Sequence, residues 1–213
     1  MQKKPEPTWR SDCGRVTLYH GDSIKLLPEL DLQGAVITDP PYGIRITRGT
    51  GNIYKGETKV DTHWDDAPPP AEVIRYLHEH FTEAIIWGGN YFGGLPRTRC
   101  VLVWDKLLAK GMNFADLEMA WTSLDENARI FRMSPVNMDG GKQHPTQKPL
   151  DLMMWCVAKV DSKIIVDPYM GSGSTGVAAV NLGREFVGIE REWNYYNIAL
   201  HRIKLALAQG TLF

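Results

Sequence analysis

Two short segments of the sequence combine an acidic residue and a tight turn directly after an apolar run. The first is Asp39-Pro40-Pro41-Tyr42, which follows the apolar residues 35–38. The second is DPYMGSGST at 167–175, which follows the apolar residues 164–166. A carboxylate with an aromatic ring can hold a flat polar group, and a glycine-rich turn before a helix can present backbone N–H groups to a carboxylate or phosphate. The two segments predict two ligands, one of them a nucleoside cofactor, at one edge of a sheet.

A third acidic residue, Glu190, ends an apolar segment about twenty residues after Asp167, which is where nucleoside-binding folds bind the ribose hydroxyls with a carboxylate. The GxxxxGK[ST] pattern of a P-loop is absent. Four basic residues follow Tyr42, and they form either a local basic surface despite the net charge of −1 or merely a solvated loop; they are Arg45, Arg48, Lys55 and Lys59.

Residue periodicity predicts short strands that alternate with helices. Strands are predicted at 16–20, 35–38, 83–87, 100–104, 163–166 and 185–189, and helices at 23–30, 71–80, 149–159, 174–182 and 193–208. Segments 117–122 and 128–133 are predicted as a late strand pair, with an antiparallel arrangement as one option. This alternation indicates an α/β fold with a doubly wound, mostly parallel sheet. Ligands in such sheets bind outside the carboxyl ends of the strands, where both acidic segments lie.

Composition favours one soluble domain over residues 1–213, with 43% hydrophobic and 23% charged residues. No apolar run approaches the roughly 18 residues of a membrane span, and the first residues lack the apolar stretch of a secretory signal, so a cytoplasmic protein is expected. The cysteines Cys13, Cys100 and Cys156 form no CxxC pair and the six histidines have no ligand spacing. Neither a disulfide nor a metal site is therefore expected.

The set of motifs resembles the amino DNA methyltransferases, in the permuted group whose catalytic motif precedes the cofactor motif. Residues 39–42 match the catalytic DPPY, and residues 167–175 resemble the cofactor loop, with Tyr169 where the family usually has Phe. The HPTQKP at 144–149 and the YHGD at 19–22 are similar to two further family motifs. The resemblance spans nearly the whole chain and implies a Rossmann-like, seven-stranded-type class I methyltransferase fold with an antiparallel late strand.

The resemblance implies S-adenosylmethionine as the cofactor. Asp22 would accept a hydrogen bond from the adenine amino group, and Glu190 would bind the ribose. Thr146 and Lys148, together with His144, would hold the methionine carboxylate. The cofactor loop would supply the other contacts, through Asp167, Pro168, Tyr169, Gly171, Ser172, Gly173 and Thr175.

The resemblance also implies double-stranded DNA as the substrate, with the target base flipped out. Asp39 and the carbonyl of Pro40 would hold an exocyclic amino group, Pro41 completes the motif, and Tyr42 would stack on the base. Only segments 44–70 and 105–144 are available for contacts to DNA. A small monomer covers few base pairs, which is compatible with a homodimer. The resemblance implies a restriction-modification setting and leaves open whether a restriction partner exists.

Several alternatives remain at this level. An acid as the first residue of the motif favours N6 of adenine over N4 of cytosine without excluding the latter. Carbon-5 methylation of cytosine is disfavoured because no cysteine follows a proline. Methylation of protein glutamine is disfavoured because its motif begins with Asn and follows the cofactor loop. A catalytically silent, nucleic-acid-binding regulator is the alternative from another class.

The aromatic residues elsewhere receive a structural interpretation. Trp87, Trp104 and Trp121 are predicted to lie in the core, and residues 90–92 (NYF) are predicted to pack rather than to line the target pocket.

Overall fold

A computed structural model describes residues 4–45, 65–108, 115–134 and 147–210. Its helices are α1 (Ser23–Leu30), α2 (Ala71–His80), α3 (Leu150–Val157), α4 (Ser174–Asn181) and α5 (Trp193–Gly210), with a 3-10 turn at Gly89–Tyr91. Its strands are β1 (Trp9–Arg10), β2 (Val16–His20), β3 (Ala35–Thr38), β4 (Glu83–Trp87), β5 (Val101–Asp105), β6 (Leu117–Thr122), β7 (Arg129–Arg132), β8 (Ile164–Asp167) and β9 (Glu185–Glu190). Within these ranges, none of the helices has both the length and the apolar character that a bilayer crossing requires.

The strands form one sheet in the order β1-β2-β9-β8-β3-β4-β6-β5-β7. The five central strands, β2, β9, β8, β3 and β4, run parallel to one another. Strand β6 is antiparallel to both β4 and β5, and the short β1 is antiparallel to β2. The prediction of a mostly parallel, doubly wound α/β sheet with an antiparallel late strand is confirmed, and in the described ranges the sheet has nine strands.

The pairing of the late strands differs from the prediction. Strands β6 and β7 do not pair with each other, because β5 lies between them. Strand β5 runs antiparallel to β6 and parallel to β7. Strand β1 has only two residues, so its apolar alternation is too short to predict a strand from the sequence.

Both faces of the central sheet are buried, which explains why its strands are almost continuously apolar. In β3, Ile37 points to a core that includes residues of α3, α4 and α5, whereas Val36 points to a second core that includes residues of α1 and α2. The predicted core positions of Trp87 and Trp104 are confirmed. Trp121 is only partly buried, and its indole N–H donates to the carbonyl of Pro96 at 2.8 Å.

The winding direction of the sheet reverses between β3 and β8. From β3 the chain crosses through α2 to β4 on one side, and from β8 it crosses through α4 to β9 on the other. The two strands pair directly, with Val36 opposite Val166. Their carboxyl ends therefore deliver the segments that begin at Asp39 and Asp167 to the same place, which is where such sheets bind ligands.

Candidate active site

A cavity of about 280 Å³ opens at the carboxyl ends of β3 and β8. Its walls come from the β2–α1 turn, the segment after β3, residues 67–70, the start of the α3 segment, and the loops after β8 and β9. The predicted site residues that line it are Asp22, Asp39, Pro41, Lys148, Asp167, Tyr169, Gly171, Ser172, Thr175 and Glu190. The structure thus brings together residues from four separate motifs.

Other predicted site residues have different positions. Pro40, Tyr42, Pro168 and Gly173 are not among the lining residues, although each adjoins one that is. His144 and Thr146 lie outside the described residues, as do residues 46–64 of the predicted DNA-contacting segment 44–70. In the other predicted segment, 105–144, residues 109–114 and 135–144 lie outside the described residues, whereas β6 and β7 belong to the sheet. Among the residues that are described, no group of three or more His, Cys, Asp or Glu side chains could hold a metal ion.

The carboxylate of Asp167 organises the loop after β8. It accepts hydrogen bonds from the hydroxyl groups of Thr38 (2.7 Å) and Thr175 (2.6 Å), and from the backbone N–H of Tyr169 (3.1 Å). Burial raises the pKa of Asp167 to about 6, although these hydrogen bonds oppose the shift. Asp167 therefore shapes the loop through both of its oxygen atoms.

Helix α5 packs against the same loop and donates hydrogen bonds to it. The guanidinium of Arg202 donates to the carbonyl of Ser172 (2.6 Å), to its hydroxyl (3.1 Å) and to the hydroxyl of Ser174 (3.3 Å). Gly173 has a positive φ of 80°, and a Cβ there would lie 2.8 Å from that of Ala199. Arg202 cannot be recognised from the sequence, because nothing in a local pattern distinguishes it from the other basic residues of an amphipathic helix.

Two acidic residues face the cavity on the side of β2 and β9. Glu190 accepts hydrogen bonds from the backbone N–H groups of Gly171 (2.9 Å) and Glu192 (2.7 Å), and burial raises its pKa to about 7. Asp22 caps α1 by accepting from the N–H of Ile24 at 3.0 Å. The N–H of Gly21 donates to the carbonyl of Glu190 at 2.9 Å, so the two carboxylates belong to neighbouring turns.

Asp39 is at the centre of a buried polar cluster. Its Oδ1 accepts from the hydroxyl of Tyr42 and its Oδ2 from Nζ of Lys148, both at 2.5 Å. Lys148 also contacts Oε2 of Glu118 at 2.9 Å, and Nζ of Lys106 contacts the other oxygen of Glu118 at 2.7 Å. Glu118 and Lys106 come from β6 and from the residue after β5. Sequence analysis did not identify them, because no motif includes them.

The electrostatics of this cluster follow from burial and opposite charge. Burial raises the pKa of Asp39; the ammonium of Lys148 opposes this shift, whereas the carboxylate of Glu118 adds to it. Burial also raises the pKa of Glu118, but Lys148 and Lys106 outweigh that effect and hold it at about 2. For Lys148, burial disfavours the charged form, yet the two carboxylates raise the pKa above its usual value.

Aromatic side chains surround Tyr42. Its ring stacks on that of Tyr91, with centroids 4.9 Å apart and planes inclined by 15°, and Phe92 meets it edge-on at 6.1 Å. Burial, followed by the negative charges of Asp39 and Glu118, raises the pKa of Tyr42 well above its usual value, so its hydroxyl stays protonated. Tyr91 is 45% exposed, so it both packs on Tyr42 and presents an aromatic surface to solvent.

The known proteins whose sequences match this chain are methyltransferases. Residues 101–201 match the family model N6_N4_Mtase, described as DNA methylase. The Type II methyltransferase M2.DpnII of Streptococcus pneumoniae is 35% identical over 142 residues, which are 64% of this chain and 47% of that protein. The Type II methyltransferase M.HinfI of Haemophilus influenzae is 38% identical over 68 residues, 31% of this chain and 19% of that protein. The chain spans less than half the length of these curated relatives.

Solved structures share the fold at lower sequence identity. The crystal structure of the M1.HpyAVI-SAM complex has a TM-score of 0.61 at 22% identity, over 88% of this chain and 98% of that one. The PvuII DNA methyltransferase, titled cytosine-N4-specific, has a TM-score of 0.59 at 16% identity, over 95% of this chain and 94% of that one. The predicted Rossmann-like methyltransferase fold is thereby confirmed. Together with the order of its motifs, these matches show that the chain is similar to the N6/N4 amino DNA methyltransferases.

Proposed function

We propose that this chain transfers a methyl group from S-adenosylmethionine to the exocyclic N6 amino group of adenine in DNA. One observation carries the proposal. The carboxylate of Asp39 lines the same cavity as Asp22, Glu190 and the glycine-rich loop, because β3 and β8 are neighbours at the reversal point of the sheet. N4 of cytosine is the second candidate, since a structural neighbour is titled cytosine-N4-specific.

The residues of the cavity fit this cofactor. Two carboxylates, those of Asp22 and Glu190, offer acceptors suited to an adenine amino group and to ribose hydroxyls. Gly171 has a φ of 50° and open space where a Cβ would stand, so the loop of Gly171, Ser172 and Gly173 leaves room for the methionine part of the cofactor. When bound, S-adenosylmethionine supplies an electrophilic methyl group on a sulfonium centre.

The proposed assignment of the remaining cofactor contacts follows the family motif. His144 and Thr146 would bind the methionine carboxylate. Lys148 was expected to do the same, but its contacts with Asp39 and Glu118 favour a position at the catalytic carboxylate. Asp167, Pro168, Tyr169 and Thr175 would shape the loop that holds the cofactor.

Asp39 and Tyr42 would carry the chemistry. An exocyclic amino nitrogen is a poor nucleophile because its lone pair is delocalised into the ring. Hydrogen bonds to Asp39 and to the carbonyl of Pro40 would localise that lone pair. As positive charge builds on the nitrogen, the anionic Asp39 would stabilise it, a contribution of about 3 kcal/mol for one well-placed partner. The bond from the nitrogen to the methyl carbon would form as the bond from sulfur to that carbon breaks, with the sulfur leaving as a neutral thioether. No strong base is required, since the nitrogen becomes acidic only after methylation and its proton can then pass to Asp39 or to water.

Access to the site would require base flipping. An amino group paired in a duplex cannot reach a carboxylate within a cavity, so the nucleotide must leave the stack at a cost of a few kcal/mol. Stacking against the ring of Tyr42 would offset about 1–3 kcal/mol of that cost. Double-stranded DNA is therefore the proposed substrate, with segments 44–70 and 105–144 as the proposed DNA contacts.

A homodimer is the proposed assembly. Sedimentation of the protein with and without DNA would test it.

Transfer of labelled methyl groups tests the proposal directly. Duplex DNA would be incubated with the protein and labelled S-adenosylmethionine, and then digested to nucleosides. We expect N6-methyl-2′-deoxyadenosine, whereas N4-methyl-2′-deoxycytidine would support the second candidate. Cofactor binding without label on DNA would contradict both and favour a silent regulator.

The variant Asp39→Ala should abolish transfer while calorimetry shows nearly unchanged cofactor affinity. The control Asp125→Ala removes an exposed carboxylate that pairs with Arg99 at 2.9 Å. It should leave transfer intact. Loss of cofactor affinity in the Asp39 variant would remove that residue from its proposed role.

A further inference from the structure

Lys148 is shared by two carboxylates that are far apart in the sequence. Its Nζ lies 2.5 Å from Oδ2 of Asp39 and 2.9 Å from Oε2 of Glu118, and its side chain is 6% exposed. It also donates to the hydroxyl of Tyr42 at 3.1 Å. The other oxygen of Glu118 contacts Lys106, whose side chain is 14% exposed. Two anions and two cations therefore form one balanced, largely buried cluster.

This arrangement raises an electrostatic difficulty for Asp39. A carboxylate that stabilises developing positive charge must keep its own negative charge effective. An ammonium within hydrogen-bond distance cancels most of that charge, and the interaction is strong in a poorly solvated site. A second carboxylate on the same ammonium restores the balance, and Glu118 supplies it.

We propose that Glu118 is a positioning residue for methyl transfer: it holds Lys148 and neutralises its charge, so that Asp39 stays an effective anion toward the target amino group. The inference rests on the proposed function and deepens it. Lys148 in turn orients Asp39 and Tyr42, since it donates to both. Glu118 acts through these groups and does not itself touch the reacting atoms.

The titratable groups around Asp39 set the expected pH effect. They come from five parts of the fold and are Tyr42, Lys148, Glu118, Lys106 on the other oxygen of Glu118, and Asp167. The negative charge of Glu118 raises the pKa of Asp39 and the positive charge of Lys148 lowers it. Removing Glu118 alone should therefore lower the pKa of Asp39, and removing Lys148 alone should raise it.

Three variants test the charge balance: Glu118→Gln, Lys148→Met and the double variant. Each single variant changes the net charge of the four-residue cluster, by +1 or −1, whereas the double variant restores it. We expect each single variant to lose at least about tenfold in kcat and the double variant to be several-fold more active than either. The acid limb of the pH–kcat profile should shift down for Glu118→Gln and up for Lys148→Met.

Two controls separate this role from simple loss of structure. Glu118→Asp keeps the charge and should recover part of the activity. Glu126→Gln removes a carboxylate from the Lys159 and Arg129 ion pairs, which is a comparable cluster, and should leave the pH profile unchanged. Additive losses in the double variant with unshifted acid limbs would overturn the proposal.

A measurement that does not depend on catalysis tests this inference separately from the proposed function. The side-chain carboxyl ¹³C signal of Asp39, assigned by its loss in Asp39→Asn, would be titrated by NMR in the wild type and in Glu118→Gln. We expect a lower pKa in the variant than in the wild type, because the negative charge of Glu118 no longer raises it. An unchanged pKa would overturn the inference even if DNA is methylated. A wild-type protein that methylates no DNA would overturn the proposed function and leave the NMR result standing.

Discussion

The hydroxyl of Thr38 donates a 2.7 Å hydrogen bond to the carboxylate of Asp167, and this contact ties together the ends of β3 and β8. Thr38 precedes Asp39 directly, and Asp167 begins the glycine-rich loop. Both residues are buried. One buried hydrogen bond thus connects the proposed catalytic segment to the proposed cofactor segment.

Thr38→Val tests this connection, because valine keeps the shape and removes the donor. We expect the free energy of unfolding to fall by about 1–3 kcal/mol, since a buried acceptor loses its hydrogen-bond donor. Asp167 has a folded-state pKa of about 6, above its unfolded value, so its ionised form disfavours folding as the pH rises through 6. Losing a hydrogen bond that favours the ionised form should therefore cost more at pH 8 than at pH 5, as chemical denaturation at both values would show.

The control for this variant is Thr82→Val. The hydroxyl of Thr82 donates to the carbonyl of Gly34 at 3.0 Å in an exposed setting, so its loss should cost little at either pH. Equal costs for Thr38→Val at pH 5 and pH 8 would contradict the role assigned to the Asp167 carboxylate.

Gly88→Ala should disturb Tyr42 specifically. Gly88 has a φ of 73°, and a Cβ there would lie 2.1 Å from a ring carbon of Tyr42. Gly14 has a φ of 72° with nothing within 4 Å of its Cβ position, which makes Gly14→Ala a control with the same backbone strain. Both variants should lose about 1–2 kcal/mol of stability from the left-handed conformation. Only Gly88→Ala should lose methyl transfer, by about tenfold or more, while cofactor affinity measured by calorimetry stays unchanged in both.

Glu190 should make cofactor affinity depend on pH. Its buried carboxyl has a pKa of about 7, and only the ionised form can accept hydrogen bonds from both ribose hydroxyls. Cofactor affinity should therefore reach its maximum above pH 8 and should fall by up to about tenfold for each pH unit below 7. Calorimetry with S-adenosylhomocysteine from pH 5.5 to 8.5 would measure this.

The matching variant is Glu190→Gln, which cannot ionise. Its affinity should be lower at high pH and nearly flat across the same range. A wild-type affinity that does not change between pH 6 and pH 8 would exclude the carboxylate of Glu190 as the ribose ligand.

Arg202→Met should weaken cofactor binding, although Arg202 is not proposed to contact the cofactor. Arg202 reaches Ser172 and Ser174 from α5, so it fixes the loop that lines the cavity. Charge-assisted hydrogen bonds of this kind contribute about 1.5–3 kcal/mol, and we expect the dissociation constant of the cofactor to rise about tenfold or more. Lys204→Met on the same helix is the control, because Lys204 is exposed and its ammonium lies over the ring of Trp9. Equal effects of the two variants would show that Arg202 does not act through the loop.

The sequence by itself determined the elements, the fold class and the residues of each motif. Strand and helix positions follow local patterns of apolar residues, and the predicted bounds agree with the structure to within one or two residues at most ends. The adjacency of Asp39 and Asp167 was also predictable, because the carboxyl ends of parallel strands meet at one edge of a sheet. The positions of His144 and Thr146 stay predictions.

Only the tertiary structure decided which side chains pair across long distances in the sequence. Lys148 meets Asp39 across 109 residues, and Glu118 meets Tyr42 across 76. These contacts depend on the order β4-β6-β5-β7, which brings β6 next to β4 by antiparallel pairing that no local pattern specifies. The same holds for Arg202, which looks like any basic helix residue until α5 packs behind the loop. Local periodicity encodes burial, whereas the identity of a polar partner depends on how distant segments pack together.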